Sequence, residues 1–121
     1  MADKERLERL EQVKPIVIHD KKNNRDYTLE FNRESVMFAE QRGFNINDID
    51  KYPMVMIPLL FFYAFRMHHR NISKEKTDKI LFEDLGGMPD GMAERLGALY
   101  SLPYDALASD EPKNPDMTVE M

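Results

Sequence analysis

The apolar segment at residues 52–65 constrains the fold more than any other feature of the chain. It contains Pro53 and Pro58 and no charged residue, and it is shorter than the roughly 20 apolar residues that a bilayer-spanning helix needs. Pro53 suits a first helical turn, whereas Pro58 must start the main helix or kink it. Because apolar residues surround the predicted helix, it is either buried at the centre of a domain or keeps one face for a partner.

Size and charge limit the class of protein. The 121 residues, 42% of them hydrophobic, suit one small domain and not two. The net charge of −5 argues against nucleic acid as the main partner, because counterion release needs a clustered basic surface. The chain has no cysteine, which excludes disulfides and thiolate sites. Residues 1–12 lack the apolar core of a secretory signal, so we expect a cytoplasmic protein without membrane contact.

Residues 15–31 predict a β-hairpin. A β-branched run at 16–18 is followed by a polar stretch, and then Tyr27, Leu29 and Phe31 alternate with polar residues. This alternation is typical of a strand with one buried face. Since two strands alone are unstable, the hairpin must pack on helices or pair with strands of another copy.

Helix signals follow the hairpin. Asn32 occupies an N-cap position, and Gly43 can supply the left-handed residue that ends a helix. Ser73 marks the start of a further helix, and a last helix begins near Asp90 and ends before Pro103. Together with the apolar helix, these signals predict an α+β fold, mostly α, with an N-terminal β-hairpin followed by a small bundle of four or more helices.

The sequence divides into three parts. Residues 1–14 predict a helical extension in which Leu7 and Leu10 are the apolar anchors. Residues 15–108 form a single globular domain of hairpin and helices. Residues 109–121 are polar, acidic and proline-containing, which is typical of a disordered tail.

No group of residues indicates catalysis. His68 and His69 are adjacent, so on a helix their side chains point about 100° apart and cannot chelate one ion together. The glycines lack the residues of a phosphate-binding loop, and no serine lies in a nucleophile elbow. We therefore predict a non-enzymatic protein with no catalytic, metal or cofactor site, and interpret the histidines as surface or helix-end residues.

Two basic segments, at residues 66–70 and 74–79, could form a modest positive patch if the helices bring them together. Glu75 and Asp78 are interleaved with the lysines, and no recognition motif is present. A solvated helix face is the favoured interpretation, and nucleic-acid binding is the alternative.

Methionine and phenylalanine are concentrated between residues 54 and 67. Flexible thioethers and aromatic rings fill irregular cores, but they also form adaptable surfaces for apolar helices. A small domain cannot easily bury every face of such a segment, so we expect part of it to meet another chain. The candidate partner-binding residues are Met54, Met56, Phe61, Phe62 and Phe65, together with Leu7 and Leu10 of the N-terminal extension.

Four blocks of sequence, taken in order, carry a resemblance to a known protein family. They are YTLEFNRESV at 27–36, GFNI at 43–46, a segment that begins MIPLLF and runs over 56–69, and ISKEKTD at 72–78. In this order they resemble the small tail assembly chaperones of long-tailed phages and prophages of Gram-positive bacteria. The resemblance covers residues 17–107, and the extension at 1–14 is not part of it.

This resemblance implies a protein of the bacterial cytoplasm that binds the tape measure protein during tail assembly. Such chaperones coat the long tape measure helix, help to recruit the major tail tube protein and leave as the tube polymerises. The resemblance implies no catalytic residue and no cofactor, and a homo-oligomer is compatible with it. The alternatives are a virion structural protein, such as a head–tail connector or tail completion component, and, as a weaker one, a nucleic-acid-binding regulator.

Overall fold

The chain forms an antiparallel hairpin followed by four helices, as the sequence predicts. The structure, a computed structural model, describes residues 14–107 and 116–121. Its elements are β1 (Ile16–Asp20), β2 (Arg25–Leu29), α1 (Arg33–Gln41), a 3-10 turn (Ile46–Asp48), α2 (Pro53–Ala64), α3 (Lys74–Lys79), a π-helical turn (Ile80–Asp84) and α4 (Met92–Asp105). Of the described residues, 49% are helical and 10% lie in strands, so the fold is α+β and mostly α.

Some predictions concern residues that lie outside the described ranges. They include the helical extension with Leu7 and Leu10, the last residue of the predicted domain, and residues 109–115 of the predicted tail. The last six residues, 116–121, are exposed and form neither helix nor strand.

The hairpin packs on helices, which is the first of the two arrangements expected for it. Tyr27 and Leu29 of β2 are buried. The outer edge of β2 is attached to the end of α2 and the turn after it. Thr28 donates its backbone N–H to Nε2 of His69 at 3.0 Å. Glu30, just after β2, donates its backbone N–H to the carbonyl of Ala64 at 3.1 Å.

Both ends of α1 lie where the sequence predicts them. At the start, the Asn32 side chain accepts from the N–H of Ser35 at 2.8 Å, and the Ser35 hydroxyl accepts from the N–H of Asn32 at 2.9 Å. At the end, Gly43 has a φ of 87°. The N–H of Phe44 then donates to the carbonyl of Ala39 at 3.1 Å, so the chain reverses and buries Phe44.

The second half of α2 is the centre of the core. Pro53 occupies the first turn and Pro58 lies inside the helix, so Pro58 does not start it. The N–H that Pro58 lacks would bond the carbonyl of Met54, which lies at the exposed end of the helix where water can replace it. The buried residues from this half onward are Leu60, Phe61, Tyr63, Ala64 and Phe65.

Aromatic rings in edge-to-face contact join α2 to the other elements. The centroid of Phe65 lies 5.6 Å from that of Tyr27 in β2. Phe44 lies between Tyr63 of α2, at 5.6 Å, and Tyr100 of α4, at 5.3 Å. Contacts of this geometry each add roughly 0.5–1.5 kcal/mol to the effect of burial. They fix the hairpin and α4 against the same helix.

The end of α4 corrects a predicted boundary. The helix does not stop before Pro103 but continues to Asp105. Pro103 removes a single backbone donor near the helix end, and the N–H of Ala106 still donates to the carbonyl of Leu102 at 3.3 Å. A proline in this last turn therefore leaves the helix intact.

The helix that begins after Ser73 ends in a turn wider than an α-helical one. The N–H of Leu85 donates to the carbonyl of Ile80 at 2.8 Å, which is a π-helical bond. Ile80 and Leu81 are buried, whereas Phe82 is 54% exposed. The sequence predicts where this helix begins but not the wider turn or the exposed Phe82.

The hydroxyl of Tyr100 is a buried polar group without a hydrogen-bond partner in the described part of the chain. Burial, followed by the charge of Glu40 and the neighbouring Tyr63, raises the pKa of Tyr100 to about 12. The ring itself packs edge-on to Phe31 and Phe44. The ring thus stabilises the core, whereas the desolvated hydroxyl opposes folding.

We predict that Tyr100→Phe raises the free energy of unfolding by about 1 kcal/mol, because it keeps the ring and removes the desolvated hydroxyl. Urea unfolding of the two proteins measures the difference. Tyr104→Phe is the matched control and should change little, since Tyr104 is 40% exposed. A less stable Tyr100→Phe protein would mean that the hydroxyl is hydrogen-bonded in solution, for example by water.

The contact between His69 and the hairpin predicts a pH dependence of stability. His69 must be neutral, with no proton on Nε2, to accept the N–H of Thr28. Burial, with smaller effects from Arg25 and His68, lowers the pKa of His69 below its ordinary value of 6.5. Between the folded-state pKa and 6.5, the unfolded chain therefore binds more protons than the folded chain. Stability that is present above pH 6.5 is lost as the pH falls through the folded-state pKa.

Urea unfolding between about pH 7.5 and about pH 5.5 checks this expectation. The wild-type protein should lose stability toward the lower pH, and His69→Gln should show a shallower dependence. His19→Gln is the control, because His19 is exposed. Equal slopes for the wild type and His69→Gln would contradict a neutral His69 in the folded state.

Candidate functional site

The start of α2 carries three exposed apolar side chains close together in the sequence. Met54 is 85% exposed and Val55 is 56% exposed. Tyr52, directly before the helix, is 49% exposed. Isolated exposed apolar residues are common in proteins, but three within four positions form a continuous apolar surface.

Helical spacing extends this surface along α2. Val55, Leu59 and Phe62 lie at positions i, i+4 and i+7, so they share one face of the helix. Leu59 and Phe62 are half-buried. We define the α2 surface as this face, Val55, Leu59 and Phe62, together with Tyr52, Met54 and Met56 at the start of the helix.

The structure corrects two of the predicted partner-binding residues. Phe61 and Phe65 are both 0% exposed, and their rings contact each other edge-on at 5.0 Å. They face the core because they lie on the side of α2 that meets the hairpin and α4. Of the other predicted residues on this helix, Met54 is exposed, whereas Met56 and Phe62 are half-buried.

Tyr52 and Val55 of this surface are not among the residues predicted from the sequence. The helical spacing of Val55, Leu59 and Phe62 is a signal that could have found Val55. Tyr52 precedes the helix and has no such signal. Its ring lies 5.3 Å from Nζ of Lys51, and this is a cation–π contact at the edge of the α2 surface.

The chemistry available to the α2 surface is the burial of apolar area. No residue from 52 to 65 is charged, so binding here needs no desolvation of an ion. Met54 and Met56 are unbranched thioethers that can adopt several rotamers and fit different shapes. Such a surface suits an apolar helix face whose exact side chains vary along its length.

The histidines do not assemble into a reactive site. Nδ1 of His19 lies 2.8 Å from Oδ1 of Asp26 at an exposed position of the hairpin. Nε2 of His68 contacts a carboxylate oxygen of Glu30. Within residues 14–107 and 116–121, no three His, Asp or Glu side chains are grouped so that they could hold a metal ion.

The two predicted basic segments line different pockets. Arg66 and Arg70 face α1, whereas Lys76 and Lys79 line a pocket beside the hairpin. Nζ of Lys74 pairs with the carboxylate of Asp78 at 2.6 Å. The two segments thus border separate pockets, and one lysine of the second segment is paired with a carboxylate.

None of the helices in the described ranges is both long and apolar enough to cross a membrane.

Comparison with known proteins yields a family match. No curated protein and no solved structure matches the chain. One family model matches it over residues 1–121. Since this model covers the whole sequence, the chain belongs to the family described as a domain of unknown function (DUF5055).

Proposed function

We propose that this protein is a non-catalytic assembly chaperone of phage tails, which binds the tape measure protein and the major tail tube protein in the cytoplasm of the bacterial host. The exposed start of α2, with Met54 at 85% and Val55 at 56% exposure, is the observation that carries the proposal. The resemblance of residues 17–107 to tail assembly chaperones supplies the identity of the partners.

The physical argument concerns what a tape measure protein requires before the tail tube surrounds it. A long helix with apolar stripes aggregates unless those stripes are covered, because exposed apolar area associates without specificity. The α2 surface offers uncharged, adaptable side chains that can cover such a stripe. Repeated binding of small chaperones along one helix would require each site to accept a different local sequence, which flexible methionines allow.

The proposal also depends on α2 being rigid beneath its exposed side chains. Phe61 and Phe65 hold the buried side of the helix in the core. A surface on a fixed helix loses little backbone entropy when it binds, so a small apolar area can give useful affinity. Truncation of an exposed residue should therefore affect binding far more than folding.

We predict that the double substitution Met54→Ser and Val55→Ser lowers the soluble yield of a co-expressed tape measure protein several-fold. Both side chains are exposed, so the free energy of unfolding should change by no more than about 0.5 kcal/mol. The measurements are the soluble fraction of the tape measure protein and the urea unfolding of the purified variant.

The matched control is the double substitution Met117→Ser and Val119→Ser. These residues are of the same types and are 63% and 75% exposed, but they lie near the C-terminus. The control should keep the wild-type soluble yield. Equal loss in both variants, or no loss in either, would contradict a role for the α2 surface.

Mass spectrometry of purified phage particles separates a chaperone from a virion structural protein. A chaperone leaves during assembly, so its peptides should be absent while tail tube peptides are abundant. Retention of this chain at a fixed ratio to the tube protein would contradict the proposal and favour the structural alternative.

A further inference from the structure

Phe38 of α1 lies between two arginines. The guanidinium carbon of Arg42 is 3.5 Å from the centroid of the Phe38 ring, and that of Arg66 is 3.7 Å from it. Two guanidinium groups at these distances cannot fit side by side on one face of a benzene ring, so they stack on opposite faces. This stacking holds both cations in fixed positions at the surface.

Arg66 and Arg70 line a pocket of about 280 Å³ between α1 and the turn that follows α2. A guanidinium N–H of Arg66 donates to the backbone carbonyl of Arg70 at 3.3 Å. The pocket is flanked by Met37 and Met67, which are 45% and 39% exposed. We define the arginine pocket as Arg66, Arg70, Phe38, Met37 and Met67.

The arginines of this pocket have no acidic partner. Across the ranges the structure describes, the ion pairs are His19–Asp26, Glu30–His68 and Lys74–Asp78, so no arginine is paired. Burial lowers the pKa of the Arg66 guanidinium, and the nearby charges of Arg70 and Arg42 lower it further. Cations that form no ion pair among the described residues thus concentrate at this pocket, in a chain whose net charge is −5.

We propose that the arginine pocket binds an acidic, partly apolar segment of a partner protein, with carboxylates on Arg66 and Arg70 and apolar side chains on Met37 and Met67. A guanidinium presents five N–H donors that match a carboxylate in a two-point contact. Arg66 uses one donor for the Arg70 carbonyl, which leaves the others for a ligand. Arginine and methionine are also enriched at protein interfaces relative to other surfaces.

The surroundings favour a peptide over a nucleic acid. Glu34 also lines the pocket, and its carboxylate repels every anionic ligand, so the choice between peptide and nucleic acid depends on the other lining residues. The exposed methionines provide apolar contacts that phosphates cannot use. A peptide can place its carboxylates toward the arginines and its apolar side chains toward the methionines.

This surface shares no residue with the α2 surface, and the proposal holds for any partner that carries such a segment. Failure of one proposal therefore does not decide the other. The binding proposed for the α2 surface is by apolar contact, so it should not weaken as salt concentration rises. Binding at the arginine pocket should weaken as salt concentration rises.

The test uses the full-length protein and a short fluorescent peptide in which glutamates alternate with leucines, with fluorescence anisotropy as the readout. Arg70→Gln should weaken binding by about tenfold, since it removes a charge-assisted contact. Arg66→Lys keeps the charge but loses the two-point geometry, so it should weaken binding as well. Glu34→Gln should strengthen binding, because it removes the repelling carboxylate.

Arg95→Gln is the control, since Arg95 is an exposed arginine outside the pocket. It should bind the peptide as the wild type does. Circular dichroism verifies that each variant folds. Three results would overturn the proposal: no binding of the peptide, equal losses in Arg70→Gln and Arg95→Gln, or tighter binding of a fluorescent single-stranded DNA than of the peptide.

Discussion

The edge-to-face packing of aromatic rings around the second half of α2 is the interaction on which the other elements depend. Phe65 fixes the hairpin through Tyr27, and Tyr63 fixes α4 through Phe44 and Tyr100. These rings meet at centroid distances of 5.3–5.6 Å. A two-stranded sheet is unstable alone, so the hairpin exists because it can bury one face against this helix.

The same constraint divides α2 into two parts with different roles. Its second half is enclosed by the hairpin and α4, and its first turn extends beyond them, with Met54 at 85% exposure. Apolar residues continue through both parts without a charged residue. The core therefore buries only the second half of the apolar segment, and we propose that a partner covers the exposed first half.

A feature can be predicted from the sequence when residues close together in the chain determine it, and not when contacts between distant residues do. The cap at Asn32 and the turn at Gly43 are local, so both could be predicted. Whether Phe61 or Phe62 faces the core depends on where the hairpin and α4 pack, which spacing along α2 alone does not reveal. The stacking of Arg66 on Phe38 joins residues far apart in sequence, so the arginine pocket could not be predicted.

NMR of the chain with its methionine methyl groups labelled, alone and in complex with the tape measure protein, tests whether the exposed start of α2 binds this partner. The sequence contains nine methionines, which report separately on different surfaces. We expect the Met54 and Met56 signals to shift and to lose contact with a soluble paramagnetic probe, while the Met117 signal remains unchanged. Unchanged Met54 and Met56 signals in a stable complex would contradict it.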